Sequence, residues 1–195
     1  MSKSVLMSIN PYWCELIMSG KKTLEIRKNV PREFCHDRFE GGFIVEPFKV
    51  YVYETQGHIA TPWMDEDGHM IFKGSGEVVG EFVCRRIEKI DMSIGGYLHQ
   101  SHKDIDSILR ESCMNSWDLL GYLLIGHSEY KDGYAWFVSD VVKYDKPKIL
   151  DEFKQCHKCP YGDYANCLEY ECSCDNAYNV RRAPQSWCYV EEWRP

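Results

Sequence analysis

The sequence predicts a β-rich α+β domain, most simply a small twisted barrel, followed by a short cysteine-rich extension. Three observations carry this expectation. Apolar and polar residues alternate through several segments of strand length, helical periodicity is confined to a few short stretches, and six of the ten cysteines fall in the last 40 residues. A chain of 195 residues with 44% apolar content suits one large domain, or one domain with an appendage.

The elements follow in order. "SVLMSI" reads as a first strand, and Asn10 before Pro11 is a helix start, because asparagine caps and proline fits the first helical position. Trp13, Leu16 and Ile17 recur at helical spacing, and Gly20 suits the left-handed stop. "TLEIRK" then alternates as a strand, with Leu24 and Ile26 pointing inward and Thr23, Glu25 and Arg27 on the opposite face. "FKVYVYET", "HMIFKG", "EVVGEFVCRRIEKI" and "YAWFVSDVVKY" are further strands, and "DEDG" at residues 65 to 68 is a turn between two of them. "HKDIDSILRES" and "SWDLLGYLLIG" are helical. At the end of the chain Trp187, Tyr189 and Trp193 fall on alternate positions, as in a strand laid on the core.

A composition shift near Leu150 divides the chain into a domain over residues 1 to 150 and an extension over residues 151 to 195. The extension is too short and polar to build its own core, so it must pack on the barrel or be stapled. The formal net charge of -7 excludes holding duplex DNA by general phosphate neutralisation. Any nucleic-acid site must therefore be local. No apolar run approaches the length that spans a bilayer, so no membrane partner is expected. The start "MSKSVLMSINPYW" lacks the apolar stretch of a secretory signal, which makes the cytoplasm the expected compartment.

The chemistry concentrates in "SGKKTLEIRKN", residues 19 to 29. A glutamate two residues before an arginine on one strand face can hold the planar guanidinium in a fixed direction, ready for a phosphate, carboxylate or base edge. An exposed strand face with a weak ion pair would show the same spacing. Gly20, Lys22, Glu25 and Arg27 follow the pattern G-x-K-x-x-E-x-R, placed directly behind a strand and a helix. In this the chain resembles the ASCH domain family of the PUA-like superfamily, over about residues 3 to 150. The tail is similar to those of some bacterial and phage members.

The resemblance implies a barrel beside a cleft lined by Lys22, Glu25 and Arg27, and a role in binding RNA or modified nucleosides. It also implies an alternative. Some small members resemble amidohydrolases that remove the acetyl group from acetylated cytidine, with the motif lysine activating a threonine nucleophile. Lys22 matches that lysine, whereas the nucleophile position is occupied by Glu25, which does not inherit a hydroxyl's role. Catalysis would then rest on Lys22 and Glu25 as a coupled pair, the glutamate activating water and the lysine or Arg27 steadying an oxyanion. Binding ranks above catalysis, with Lys22, Thr23, Glu25 and Arg27 as ligand contacts and Tyr12 and Trp63 as candidate stacking rings.

In the extension, Cys156 and Cys159 form a C-x-x-C pair, followed by Cys167 and by Cys172 and Cys174. Closely spaced thiolates can hold a structural zinc, and metal binding would let a short polar segment fold. Disulfides and buried free thiols are the competing readings. A zinc-stabilised protein-interaction module is accordingly the third functional class.

Overall fold

The computed structural model describes residues 2–37, 43–56, 58–64, 70–92, 98–100, 104–125, 129–155 and 179–193. Strand β1 (Lys3–Ile9) leads into α1 (Pro11–Met18) and β2 (Leu24–Arg27). Two short strands, β3 (Cys35–Asp37) and β4 (Phe43–Val45), pair before β5 (Phe48–Glu54), and β6 (His58–Met64) pairs with β7 (Met70–Lys73). The long β8 (Val78–Met92) is followed by β9 (Leu98–Gln100), α2 (Ile105–Ser112), α3 (Ser116–Leu123), β10 (Leu124–Ile125) and β11 (Glu129–Tyr130). A second long strand, β12 (Gly133–Lys148), a 3-10 turn at Leu150–Glu152 and β13 (Trp187–Glu191) complete the order.

The chain forms two compact units. The first comprises Met1–Pro11, Lys49–Glu81 and Lys143–Pro195. Its centre is β1, buried from Ser4 to Ile9, with β5 parallel on one side and β13 antiparallel on the other. A strand covered on both faces needs a continuous apolar run, which "VLM" supplies. Leu6, Tyr51, Tyr53, Val78, Phe153, Val180 and Val190 pack into one cluster, and the Tyr51 hydroxyl accepts a hydrogen bond from the Trp193 amide at 2.7 Å. Gly74 is required by close approach, since a Cβ there would lie 2.1 Å from the Thr55 carbonyl oxygen.

The second unit comprises Tyr12–Phe48 and Phe82–Val142. β12 pairs antiparallel with β2, placing Trp136 opposite Glu25 and Tyr134 opposite Arg27. Leu24, Ile26, Ile90, Ile108, Leu119, Leu123 and Ala135 form its core cluster. Asp104 caps α2 by accepting from the Ser107 amide at 2.9 Å, and Asn115 caps α3 by accepting from Asp118 at 2.8 Å. The Asp104 cap marks the start of α2 at Ile105, and the expected first turn at His102 and Lys103 lies outside the described residues. Cys35 and Cys84 are buried, and burial pushes both thiols up to about 12, so they pack as small apolar groups.

The α+β class agrees with the sequence, but the closed barrel does not. Among the described residues the strand order is β13-β1-β5-β8-β12-β2, with β9 on β8, an open path whose ends are β13 and β2. Among the described residues β12 is the one strand partner of β2, and the Thr23 amide just before it is taken by the Glu111 carbonyl of α2 at 2.9 Å rather than by a further strand. The alternating tail forms β13 against β1, as its pattern predicts. The "DEDG" turn lies outside the described residues. No described helix is long and apolar enough to cross a membrane.

Candidate functional site

The site begins at the end of α1. Gly20 adopts φ +73°, the left-handed conformation that glycine enters without steric cost, and a Cβ there would meet nothing within 4 Å. The reversal lets the Lys22 amide reach back to the Leu16 carbonyl at 2.8 Å. Thus the first half of the motif is a helix stop that also turns Lys22 inward.

Lys22 is buried, with 2% of its surface exposed. Its Nζ donates to the Ser112 carbonyl at 2.6 Å, a carbonyl of the last turn of α2, where the helix dipole favours a cation. The same atom lies 3.4 Å from Glu25 Oε2 and 4.8 Å from the centre of the Trp13 ring. Burial pushes the ammonium below its ordinary 10.5, opposed by the neighbouring Glu25 carboxylate.

Glu25 stands between two cations. Its Oε1 accepts from Arg27 at 2.9 Å while Oε2 faces Lys22, and Glu25 and Arg27 are only 6% and 7% exposed. The charged face of β2 is therefore covered, and all four residues of the strand are buried. Of the two readings that the spacing allowed, the exposed strand face with a weak ion pair is thereby excluded. Desolvating charges is expensive, and the arrangement is tolerable because each group has an oppositely charged neighbour.

Tyr122, from α3, touches this group from the solvent side. It is 36% exposed, its hydroxyl accepts a hydrogen bond from Arg27, and Lys28 Nζ lies 5.2 Å from its ring centre. Burial pushes the phenol up, and the Arg27 guanidinium works against that shift. Cys113, in the left-handed conformation just after α2, interacts electrostatically with Lys22, and its Sγ lies 3.4 Å from the Lys21 carbonyl oxygen.

The sequence-predicted residues thus divide. Lys22, Glu25 and Arg27 converge on one point. Thr23 contributes backbone hydrogen bonds, its amide to Glu111 and its carbonyl from Val138, while its side chain is exposed. Tyr12 is 39% exposed, and its ring centre lies 4.7 Å from that of Trp13, one ring removed from Lys22. Trp63 faces Ile71 across the β6–β7 pair in the first unit, and its side chain lies outside the described residues. Cys156, Cys159, Cys167, Cys172 and Cys174 also lie outside them. Sequence reading missed Trp13, Ser112 and Tyr122 as partners of the trio. Ser112 and Tyr122 come from helices some ninety or more positions later in the chain, and no local spacing reveals such neighbours.

The basic stretch "RRIEK" at residues 85 to 89 is neutralised. Arg85 pairs with Asp140 at 2.8 Å, Arg86 with Glu88, and Lys89 with Asp91 and Asp132. In the first unit a cavity of about 290 Å³ lies beside Phe153 and Trp193, and no motif residue lines it.

No family model matches the chain, and no curated protein matches it. Solved structures do. Crystal structures of two mutant forms of ZmASCH from Zymomonas mobilis superpose with TM-scores of 0.51 each, at 14% and 15% identity. The matches cover 97% and 98% of this chain and 89% and 92% of those chains. With its mixed sheet, few helices and the motif residues gathered at the start of β2, the chain has the fold of these ASCH structures.

Proposed function

We propose that the protein binds RNA or a modified nucleoside at Lys22, Glu25 and Arg27, with recognition rather than turnover as its task. The observation that carries this reading is the position of Glu25, whose two oxygens face Lys22 at 3.4 Å and Arg27 at 2.9 Å. A carboxylate committed to two cations orients them. It fixes the guanidinium plane, the geometry by which arginine engages a phosphate or a base edge. It also occupies the position where the deacetylating pattern requires a hydroxyl nucleophile. The fold shared with ZmASCH supports the architecture and leaves the ligand to experiment.

Titration with a panel of nucleosides and short single-stranded RNAs tests the reading. Saturable, salt-sensitive binding is expected, weakened at least about tenfold, or ~1.4 kcal/mol, by Arg27→Ala. Incubation with acetylated cytidine should yield no deacetylated product. Binding indifferent to Arg27→Ala would remove the site, and deacetylation lost in Lys22→Ala would establish the hydrolase in its place.

A further inference from the structure

Trp13, Ser112 and Tyr122 close over the charged trio from α1, α2 and α3, and they differ in what holds them. Ser112 is fully buried and meets Lys22 through its backbone carbonyl, so it moves only if α2 unwinds. Trp13 packs against Tyr12, ring centre to ring centre at 4.7 Å. Tyr122 is held differently. Its neighbours Leu119 and Leu123 anchor α3 in the core, while its own ring reaches the surface, 36% exposed, with the hydroxyl on Arg27 and Lys28 Nζ 5.2 Å from the ring centre. The ring can therefore turn about its side-chain bonds while the helix stays in place, a motion that surface side chains make within nanoseconds. Arg27 itself is only 7% exposed, so a ligand reaches the guanidinium where a covering group gives way.

We propose that Tyr122 is a gate on the binding site: its hydroxyl holds the place on Arg27 that an anionic oxygen of the ligand takes, and binding exchanges one acceptor for the other. Glu25 keeps its position through the exchange, because its Oε1 accepts from Arg27 Nη2 at 2.9 Å while its other oxygen faces Lys22 at 3.4 Å. The direction of the exchange follows from charge. A phenol offers a neutral oxygen, whereas a phosphate adds its own charge and accepts parallel N–H bonds from arginine. Lys28, beside the ring, supplies a second cation to the same group. The closed gate acts on affinity as well, since a site that is open for only part of the time binds more weakly in proportion to that fraction. The proposal rests on the reading that the charged trio recognises nucleic acid or its components.

The test uses the full chain, with phenylglyoxal as a probe of arginine and uridine monophosphate as a probe of the site. Peptide mass spectrometry should show Arg27 reacting slowly in the native chain and about tenfold faster in Tyr122→Ala. Arg85, whose side chain is 58% exposed, is the internal reference and should react alike in both. Calorimetric titration should show the mononucleotide binding about tenfold more tightly to Tyr122→Phe, which keeps the ring and removes only the competing hydroxyl. Unchanged Arg27 reactivity in Tyr122→Ala would overturn the gate. So would weaker nucleotide binding by Tyr122→Phe, which would make the hydroxyl a ligand contact. Both results leave the parent reading standing as long as Arg27→Ala abolishes binding. Should Tyr122→Ala melt at a lower temperature than the native chain, the titration of Tyr122→Phe decides alone. If Arg27 gains reactivity in Tyr122→Ala while neither that variant nor the native chain binds the nucleotide, the parent reading fails, and Tyr122 is then the cover of a structural charge cluster.

Discussion

Glu25 is the residue on which the buried charges depend, and its removal should cost more than the removal of either neighbour's charge. Glu25→Gln leaves Lys22 and Arg27 uncompensated in a covered site, so a loss of about 3 kcal/mol is expected by denaturant unfolding. Lys22→Met behaves differently. It discards one desolvated ammonium and leaves Glu25 paired with Arg27, and its cost should stay within about 1.5 kcal/mol, chiefly the hydrogen bond to Ser112. The two variants also differ with pH. Burial holds Lys22 below its ordinary 10.5, so between that lowered value and 10.5 the unfolded chain keeps a proton that the folded chain has released. Stability from this group therefore rises with pH across that window, and Lys22→Met should flatten the slope in unfolding curves taken through it. At this scale the sequence singled out the three motif residues that the structure brings together. It was silent on Ser112 and Tyr122, because the partners of a buried charge are set by tertiary packing rather than by the residues beside it.

Among the elements, α1 and its stop are the most legible, since the Asn10–Pro11 start and the Gly20 end are local chemistry. Gly20→Ala should cost about 1–2 kcal/mol through backbone strain alone, because φ is +73° and the space around the position is open. It should also weaken ligand binding, since the same turn aims Lys22, and calorimetry beside a binding titration would separate the two effects. β2 was legible as a strand, while its surroundings were left open between an exposed face and a covered site. Alternation of apolar and charged residues ordinarily marks a face turned to water, and here α1, α2 and α3 supply Trp13, Ser112 and Tyr122 around that face. The short strands β3, β4, β10 and β11 escaped notice because two or three residues carry no usable period.

For the whole molecule, composition led to the α+β class, while closure into a barrel depended on long-range pairing that no local pattern encodes. The two long strands β8 and β12 each contribute residues to both units. The cysteine-rich segment remains a choice between chemistries with distinct signatures. A zinc site predicts about one metal ion per chain purified without chelator, with thiols protected until the metal is stripped and a melting temperature that falls when it is. Two disulfides among the five cysteines of that segment predict no metal and one reactive thiol, and a reductant rather than a chelator would then lower the melting temperature.

The bridging of two cations by Glu25 also restricts how this sequence can drift. Replacing the carboxylate first would bring like charges face to face with nothing between them, whereas replacing Lys22 first leaves a balanced couple. Mutational histories should therefore lose the lysine before the acid, and related chains lacking the acid should lack at least one of the bases as well.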